Sequence, residues 1–201
     1  MKLYYYPGSC SLVVRIILNE LNIKFEEDLV DLRAKKTASG EDYQAINPKG
    51  SVPAIALDNG QVITENQVIL QYLADTSPVQ TLLPPVKDIK RYQTLEWLNY
   101  ISTELHKSIG MFFNPNCTEE MKTKMLTPMI MVRFKMLNER LSKGAYLMGD
   151  NFSLPDAYLF VMVRWAHYFK MNLSEFSALN KYIEKLHERA SVKKSLEQEA
   201  Q

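Results

Sequence analysis

The chain has 201 residues, 46% of them hydrophobic and 23% charged. That is enough to bury a core without disulfides or metals, and too much apolar content for a disordered chain. Lys and Arg number 24 against 23 Asp and Glu, a net charge of +1, so no global field steers the chain toward nucleic acid or an anionic membrane; an anionic ligand must be held by a local site. Cys10 and Cys117 make neither a CxxC pair nor a dense framework, which suits a reducing compartment. Met1 to Tyr6 meets the polar bend Pro7-Gly8-Ser9 before any signal-peptide core is built, and the apolar run Ala157 to Val163 falls far short of the roughly 20 residues of a spanning helix. A cytoplasmic protein without nucleic-acid or membrane partners is expected.

In chain order, Lys2 to Tyr5 reads as a short strand ended by Pro7-Gly8, and Leu12 to Leu21 as a helix too continuously apolar to be exposed, hence buried on a sheet. Phe25, Glu27 and Leu29 alternate with charged neighbours like a half-exposed strand, and Ser39 to Ile46 is a short helix stopped by Asn47-Pro48. Ser51 to Leu57 and Gln61 to Thr64 flank Asp58-Asn59-Gly60, a hairpin signal, and Asn66 to Ala74 closes the unit as a helix. The proline-marked stretch from Asp75 to Pro85 is a connector. Beyond it the pattern is helix, turn, helix: Arg91 to Lys107, then Thr118 to Leu141 with a kink expected at Pro128, then a helix opened by Ser153-Leu154-Pro155-Asp156. That opening reads as a capping box with Asp156 in the usual Glu position, Phe152 and Ala157 standing at the staple positions. The helix behind it, Tyr158 to Tyr168, is apolar enough to run through the middle of a second domain.

Four places carry chemistry. Cys10 falls between the first strand and the first helix, where helix N–H groups favour a thiolate; the alternative is a small apolar core residue. Pro53 at the start of a strand fits either a cis Val52-Pro53 turn, whose backbone N–H and C=O at Val52 would pair with an extended peptide, or an ordinary trans edge proline. Thr64-Glu65-Asn66 sits at a strand-to-helix junction and suits a zwitterion, Glu65 for an ammonium and the helix end for a carboxylate, or is simply a cap. Asn99, Thr103, His106 and Lys107 share one helix face, either a functional stripe or a solvated one. The three histidines, His106, His167 and His187, lack metal-ligand spacing, and no metal is expected.

Tyr4 to Leu12, Ala45 to Ala54, Thr64 to Asn66, Tyr72 to Asp75, Glu96 to Asn99, His106-Lys107 and Gly149 to Tyr158 together resemble the glutathione S-transferases, most of all the bacterial beta class, in order along essentially the whole chain. The resemblance implies an α/β thioredoxin-like domain over 1–78, a linker over 79–87, an all-helical domain over 88–201 lining an electrophile site, and a homodimer. It implies an enzyme that conjugates the thiol of reduced glutathione, its co-substrate, to hydrophobic electrophiles, with thiol-transferase or peroxidase activity through Cys10; the alternative is a non-catalytic ligand- or protein-binding member. By resemblance, Cys10 lies against the glutathione sulfur, Lys35 pairs with the glycyl carboxylate, Val52 and cis Pro53 hold the cysteinyl unit, Glu65 takes the γ-glutamyl ammonium and Asn66 its carboxylate. Asn99, Thr103 and His106 close the site, with His106 and Ser11 as donors to the sulfur; Lys107 is a further contact, and Glu104 is a candidate for the other subunit's site. The chain departs from the family pattern at Tyr6, at Val14-Arg15 and at Asn66, where a small hydroxyl residue, a His-containing pair and a Gly or Ser are usual.

Overall fold

Leu3 and Tyr4 of the first strand, β1 (Lys2–Tyr5), are both buried, the mark of a strand covered on two faces. The computed structural model describes residues 1–200. β1 pairs in parallel with β2 (Glu26–Asp31) and antiparallel with β4 (Ala54–Ala56); β3 (Lys36–Thr37) edges β2, and β5 (Val62–Thr64) edges β4. The order β3-β2-β1-β4-β5 gives a mixed, thioredoxin-like sheet. A parallel pair requires a crossover, here α1 (Ser11–Glu20). Nine of its ten residues are buried, which is why its apolar run is continuous rather than one-sided.

The rest of this unit corrects two expectations, in β2 and in α2, and forms the expected hairpin. In β2 the deeply buried residues are Asp28 and Val30, while Leu29 is exposed. Val30 joins a cluster with Tyr4, Tyr43, Val52 and Ala54, and Asp28 is tolerated because the Ser39 hydroxyl donates to it at 2.6 Å, with the Lys2 ammonium at 3.7 Å. The short helix α2 covers only Tyr43–Ile46, capped by the Asp42 carboxylate accepting from the Gln44 N–H at 3.0 Å, since the residues before it are committed to β3 and its turn. In the β4–β5 hairpin only Gly60 has positive φ (82°), so the turn is not the two-residue type that needs both central residues left-handed. Leu57 closes it by donating to the Gln61 carbonyl at 2.8 Å. α3 (Asn66–Thr76) completes the unit, as expected, and the Val52–Pro53 bond is cis.

The second unit, Thr81–Glu188, is all helical. α4 (Ile89–Tyr100), capped by Asp88, runs through a π-helical stretch Ile101–His106 into α5 (Lys107–Gly110). α6 (Glu119–Met121) likewise passes through a π-helical stretch, Lys122–Leu126, into α7 (Thr127–Leu141); Pro128, expected to kink the helix, stands just after that stretch, so the α-helical pattern is interrupted just before it. α8 (Leu154–Tyr168) has 12 of 15 residues buried and packs on α4, α5 and α9 (Ser177–His187), so it is the core helix of the unit. Its capping box is formed: the Ser153 N–H donates to Asp156 at 2.8 Å and the Ser153 hydroxyl at 2.6 Å.

The segment from Arg189 onward, expected in the helical domain, belongs instead to the first unit. Its helix α10 (Ala190–Glu199) packs along α1, with Asn19 donating to Ser195 at 2.8 Å and to Gln198 at 2.7 Å, and with Arg189 and Ser191 both bound to Glu20. Those polar residues of α1 only reveal their purpose once α10 is beside them. Arg15, fully buried, bonds to Glu27 of β2 at 2.6 Å, lies 3.6 Å from Glu199 of α10 and stacks on the Tyr5 ring at 4.4 Å, so its charge ties α1 to β2 and α10. No helix among the described residues is long and apolar enough to cross a membrane.

Candidate active site

Cys10 is the N-cap residue of α1 and is 8% exposed. Its thiol donates to the Val52 carbonyl at 3.4 Å. A hydrogen bond of this kind favours the neutral thiol, while the positive end of α1, with no acidic residue in its first turn, favours the thiolate. The bond to Val52 and the head of α1 thus act on the sulfur in opposite senses. The Val52 carbonyl, expected to pair with an extended peptide, accepts from this thiol.

Ser11 was expected to serve the sulfur through its backbone N–H or its hydroxyl. The N–H donates to the Ser9 hydroxyl oxygen at 3.1 Å. The hydroxyl is buried and committed to the turn before α1: it donates to the Tyr6 carbonyl at 3.2 Å, accepts from the Tyr6 N–H at 3.3 Å and pairs with the Ser9 hydroxyl at 2.8 Å. Its work here is to hold the loop that presents Cys10.

At the head of α3, Glu65 has φ of 71°, outside the range an ordinary side chain prefers. Its carboxylate is exposed and accepts from the Lys49 ammonium at 2.6 Å, which also reaches the Thr64 hydroxyl at 3.0 Å. A carboxylate already holding an ammonium is suited in charge and geometry to hold another. Asn66, expected to bind a carboxylate, donates one of its two amide hydrogens to the Cys10 carbonyl at 3.2 Å. Its buried Oδ1 has no hydrogen-bond partner among the described residues. Asn66 thereby links the head of α3 to the head of α1. Lys35 sits in a left-handed conformation (φ 55°) and donates to the Gly50 carbonyl at 2.7 Å; a Cβ at position 50 would stand 3.2 Å from its ammonium, so glycine there makes room for it.

The remaining expected residues lie in the helical unit. Asn99, Thr103 and Lys107 are exposed, and the Thr103 hydroxyl is bonded back to the Asn99 carbonyl at 3.0 Å. The continuous α-helix assumed for that stripe is interrupted by the π-helical stretch, a feature common at functional sites. Glu104 accepts from Arg133 of α7 at 2.8 Å, so within this chain it is engaged. His106 Nδ1 makes a 2.6 Å bond to the hydroxyl of Tyr158, which is 1% exposed, and its ring meets those of Tyr158 and Trp165 edge-on at 5.7 and 5.0 Å. The Nδ1 bond and the two edge-on ring contacts together fix the imidazole in orientation. Trp165 continues through Phe113 (5.0 Å) to Tyr168 (6.1 Å), an aromatic wall ending in solvent, with Phe113 and Tyr168 exposed.

Sequence reasoning missed Lys49, Tyr158 and Arg133. Lys49 and Tyr158 lie inside the motifs that carry the family resemblance, but nothing in local pattern pairs Tyr158 with a histidine 52 residues away. Among the described residues no three His, Cys, Asp or Glu are grouped to hold a metal, and neither cysteine is in a disulfide.

A thiol at the head of the first helix of a thioredoxin-like unit, entered beside a cis proline and followed by an all-helical unit, defines a glutathione-transferase fold. Residues 8–76 match the glutathione S-transferase N-terminal domain and residues 100–190 the C-terminal domain, and the chain belongs to this family. It is 43% identical over 199 residues to the glutathione S-transferase GstA of Escherichia coli O157:H7, covering 99% of this chain and 98% of that one. Among solved structures it is similar to the bacterial transferase BphK in a ternary complex (41% identity, TM-score 0.96, all of both chains). It is also similar to a sphingomonad glutathione S-transferase complexed with glutathione (36%, TM-score 0.95, 100% and 99% of the two chains). The chain is a transferase of the glutathione type, with beta-class enzymes among its structural neighbours.

Proposed function

We propose that the chain binds reduced glutathione along the α1, β4 and α3 ends of its first unit and conjugates the tripeptide's thiol to hydrophobic electrophiles. The observation that carries this reading is the Cys10 thiol on the Val52 carbonyl, beside the cis Pro53 turn, with Glu65 presented at the head of α3. An extended tripeptide that pairs with the Val52 backbone brings its own cysteinyl sulfur to Cys10. Lys35 supplies charge for the glycyl carboxylate, releasing Gly50, and Glu65 exchanges Lys49 for the γ-glutamyl ammonium. For the α-carboxylate, the backbone N–H groups at the head of α3 act together with the Asn66 amide, which has two N–H donors and gives one to the Cys10 carbonyl.

The glutathione thiol must lose its proton before it attacks, since a free thiol of pKa about 8.5 is mostly neutral at pH 7. His106, held by Tyr158, is assigned to the sulfur as donor, with Asn99, Thr103 and Lys107 as contacts from the helical unit and Glu104 serving the second subunit. In conjugation a carbon–sulfur bond forms and the leaving group departs with its electron pair. In the redox side reaction the Cys10 thiolate attacks a glutathione disulfide, forms Cys10–glutathione mixed disulfide and expels a thiolate.

Homodimer formation is part of the proposal. Met121, Met125, Val132 and Met136 make an exposed apolar strip along α6 and α7, Ile89 and Tyr92 expose apolar surface on α4, and Val68 does so on α3. A cytoplasmic location agrees with two cysteines that form no disulfide. Steady-state conjugation of glutathione to a chlorodinitrobenzene tests the reading: saturable, glutathione-dependent turnover supports it, and a rate equal to the uncatalysed reaction over several electrophile classes refutes it. Light scattering returning a monomer mass removes the dimer.

A further inference from the structure

A cavity of about 410 Å³ lies in the helical unit, and neither Cys10 nor His106 lines it. It opens between the end of α7, the turn that follows it and one face of α9 from Ser177 to Lys185, with walls from Ala145 and the ring of Tyr182 and polar groups from Ser142, Ser177, Lys181 and Lys185. Its lining contains two lysines and no Asp or Glu. Ser177, Lys181 and Lys185 follow one another at intervals of four along α9 and therefore share a face of that helix.

The lysines of this lining are exposed and have no carboxylate partner among the described residues. The side chains of Ser177 and Lys181 have no hydrogen-bond or ion-pair partner among the described residues, and Lys185 meets only the face of the Tyr146 ring, at 3.9 Å. The Ser142 hydroxyl is spent on the Glu139 carbonyl. The Tyr182 hydroxyl points away and donates to Asp156 at 2.8 Å, so toward the cavity this residue presents only its ring. The N–H groups of Ala178 and Leu179 are both taken by Asn138 Oδ1, at 2.9 and 3.1 Å, so the head of α9 is closed and only side chains remain to hold an anion.

We propose that this cavity binds a small phosphate monoester, its dianionic head held by Lys181, Lys185 and Ser177 and its apolar body lying against Tyr182 and Ala145. Two ammonium groups match the two charges a phosphate monoester carries above its second pKa near 6. The volume lies in the range of small-molecule sites. The site is separate from glutathione chemistry and stands or falls independently of it.

The test is calorimetric titration of the full chain with 1-naphthyl phosphate at pH 7.5, beside 1-naphthol and inorganic phosphate, and repeated on Lys181→Glu/Lys185→Glu and the milder Lys181→Ala/Lys185→Ala. One saturable site for the ester is expected, with phosphate alone binding more weakly and naphthol not at all. Each ammonium contact in water is worth about fivefold, so the alanine pair should weaken the ester at least tenfold and the glutamate pair further. Both lysines are exposed, and an unchanged far-ultraviolet spectrum and conjugation rate certify folding of either variant. Naphthol binding as tightly as its phosphate, equal ester affinity in the lysine variants, or no saturable heat would each overturn the proposal.

Discussion

Tyr158→Phe removes one oxygen from a buried position and tests whether His106 acts through its orientation. The hydroxyl lies 2.6 Å from His106 Nδ1 and is the polar group that fixes the imidazole on that side. A net hydrogen bond is worth about 1 kcal/mol, and about 1.5 to 3 when one partner is charged, as an imidazole assisting a thiolate is. Converted to rate, that predicts a fall in kcat of roughly 5- to 150-fold. The glutathione KM should hardly move, because the tripeptide is proposed to be held by Lys35, Val52 and Glu65. The ring edge contacts of His106 with residue 158 survive the change, and Phe is an apolar residue of nearly equal volume, so stability should drop by no more than about 2 kcal/mol. Steady-state kinetics over pH 6 to 9 with a chlorodinitrobenzene make the measurement. Unchanged kcat with a raised KM would refute the reasoning, since it would place Tyr158 in substrate binding rather than in positioning the imidazole.

Cys10→Ala should abolish glutathione mixed-disulfide formation, read by intact mass after treatment with oxidised glutathione, while conjugation survives in part; equal loss of both would contradict that division of labour. Asp156→Ala should destabilise the chain by about 3 kcal/mol or more in urea unfolding, because it strands the buried N–H groups of Leu147 and Ser153, each costing about 1 to 3 kcal/mol; a loss under 1 kcal/mol would contradict it. Burial pushes the Glu20 carboxyl up, but the bonds from Arg189 and Ser191 outweigh it and hold the group below its ordinary value of 4.5. A depressed folded-state pKa stabilises fully above the unfolded value and less as pH falls through the folded one. Arg189→Ala should therefore lower stability at pH 7 and flatten its decline between about pH 5 and 3, and an acid limb as steep as the parent's would count against the link.

Legibility in the sequence followed locality. The cap at Ser153 and Asp156, the hairpin around Gly60 and the strand, helix, strand start are written in neighbouring residues, and each formed where expected. Long-range pairing was not written there. Glu20, Asn19 and Arg15 read as polar intrusions in an apolar helix until α10 is placed beside them, and that same packing moved the segment from Arg189 into the first unit. The π-helical stretch at Ile101–His106 escaped because sequence periodicity over two turns cannot separate 3.6 residues per turn from a single wider turn.

In the site, the residue types were legible and their present partners were not. Cys10 and Glu65 stand at the heads of helices, as strand and helix signals predict, and Lys35 follows from the family resemblance alone, yet their immediate partners are Val52, Lys49 and Gly50. Asn66 shows the limit most clearly: an amide at a helix head reads equally as a cap or a carboxylate donor, and it is the Cys10 carbonyl that takes it. Only the three-dimensional juxtaposition of two helix heads decides between those readings.

The central claim is that this chain holds glutathione at Cys10, Val52 and Glu65, and calorimetric titration of the freshly reduced protein with reduced glutathione near pH 7 tests it most directly. One saturable site per chain, weakened at least tenfold by Glu65→Ala through loss of the ammonium contact, is the expected result. No saturable heat up to millimolar glutathione at two temperatures would contradict the account.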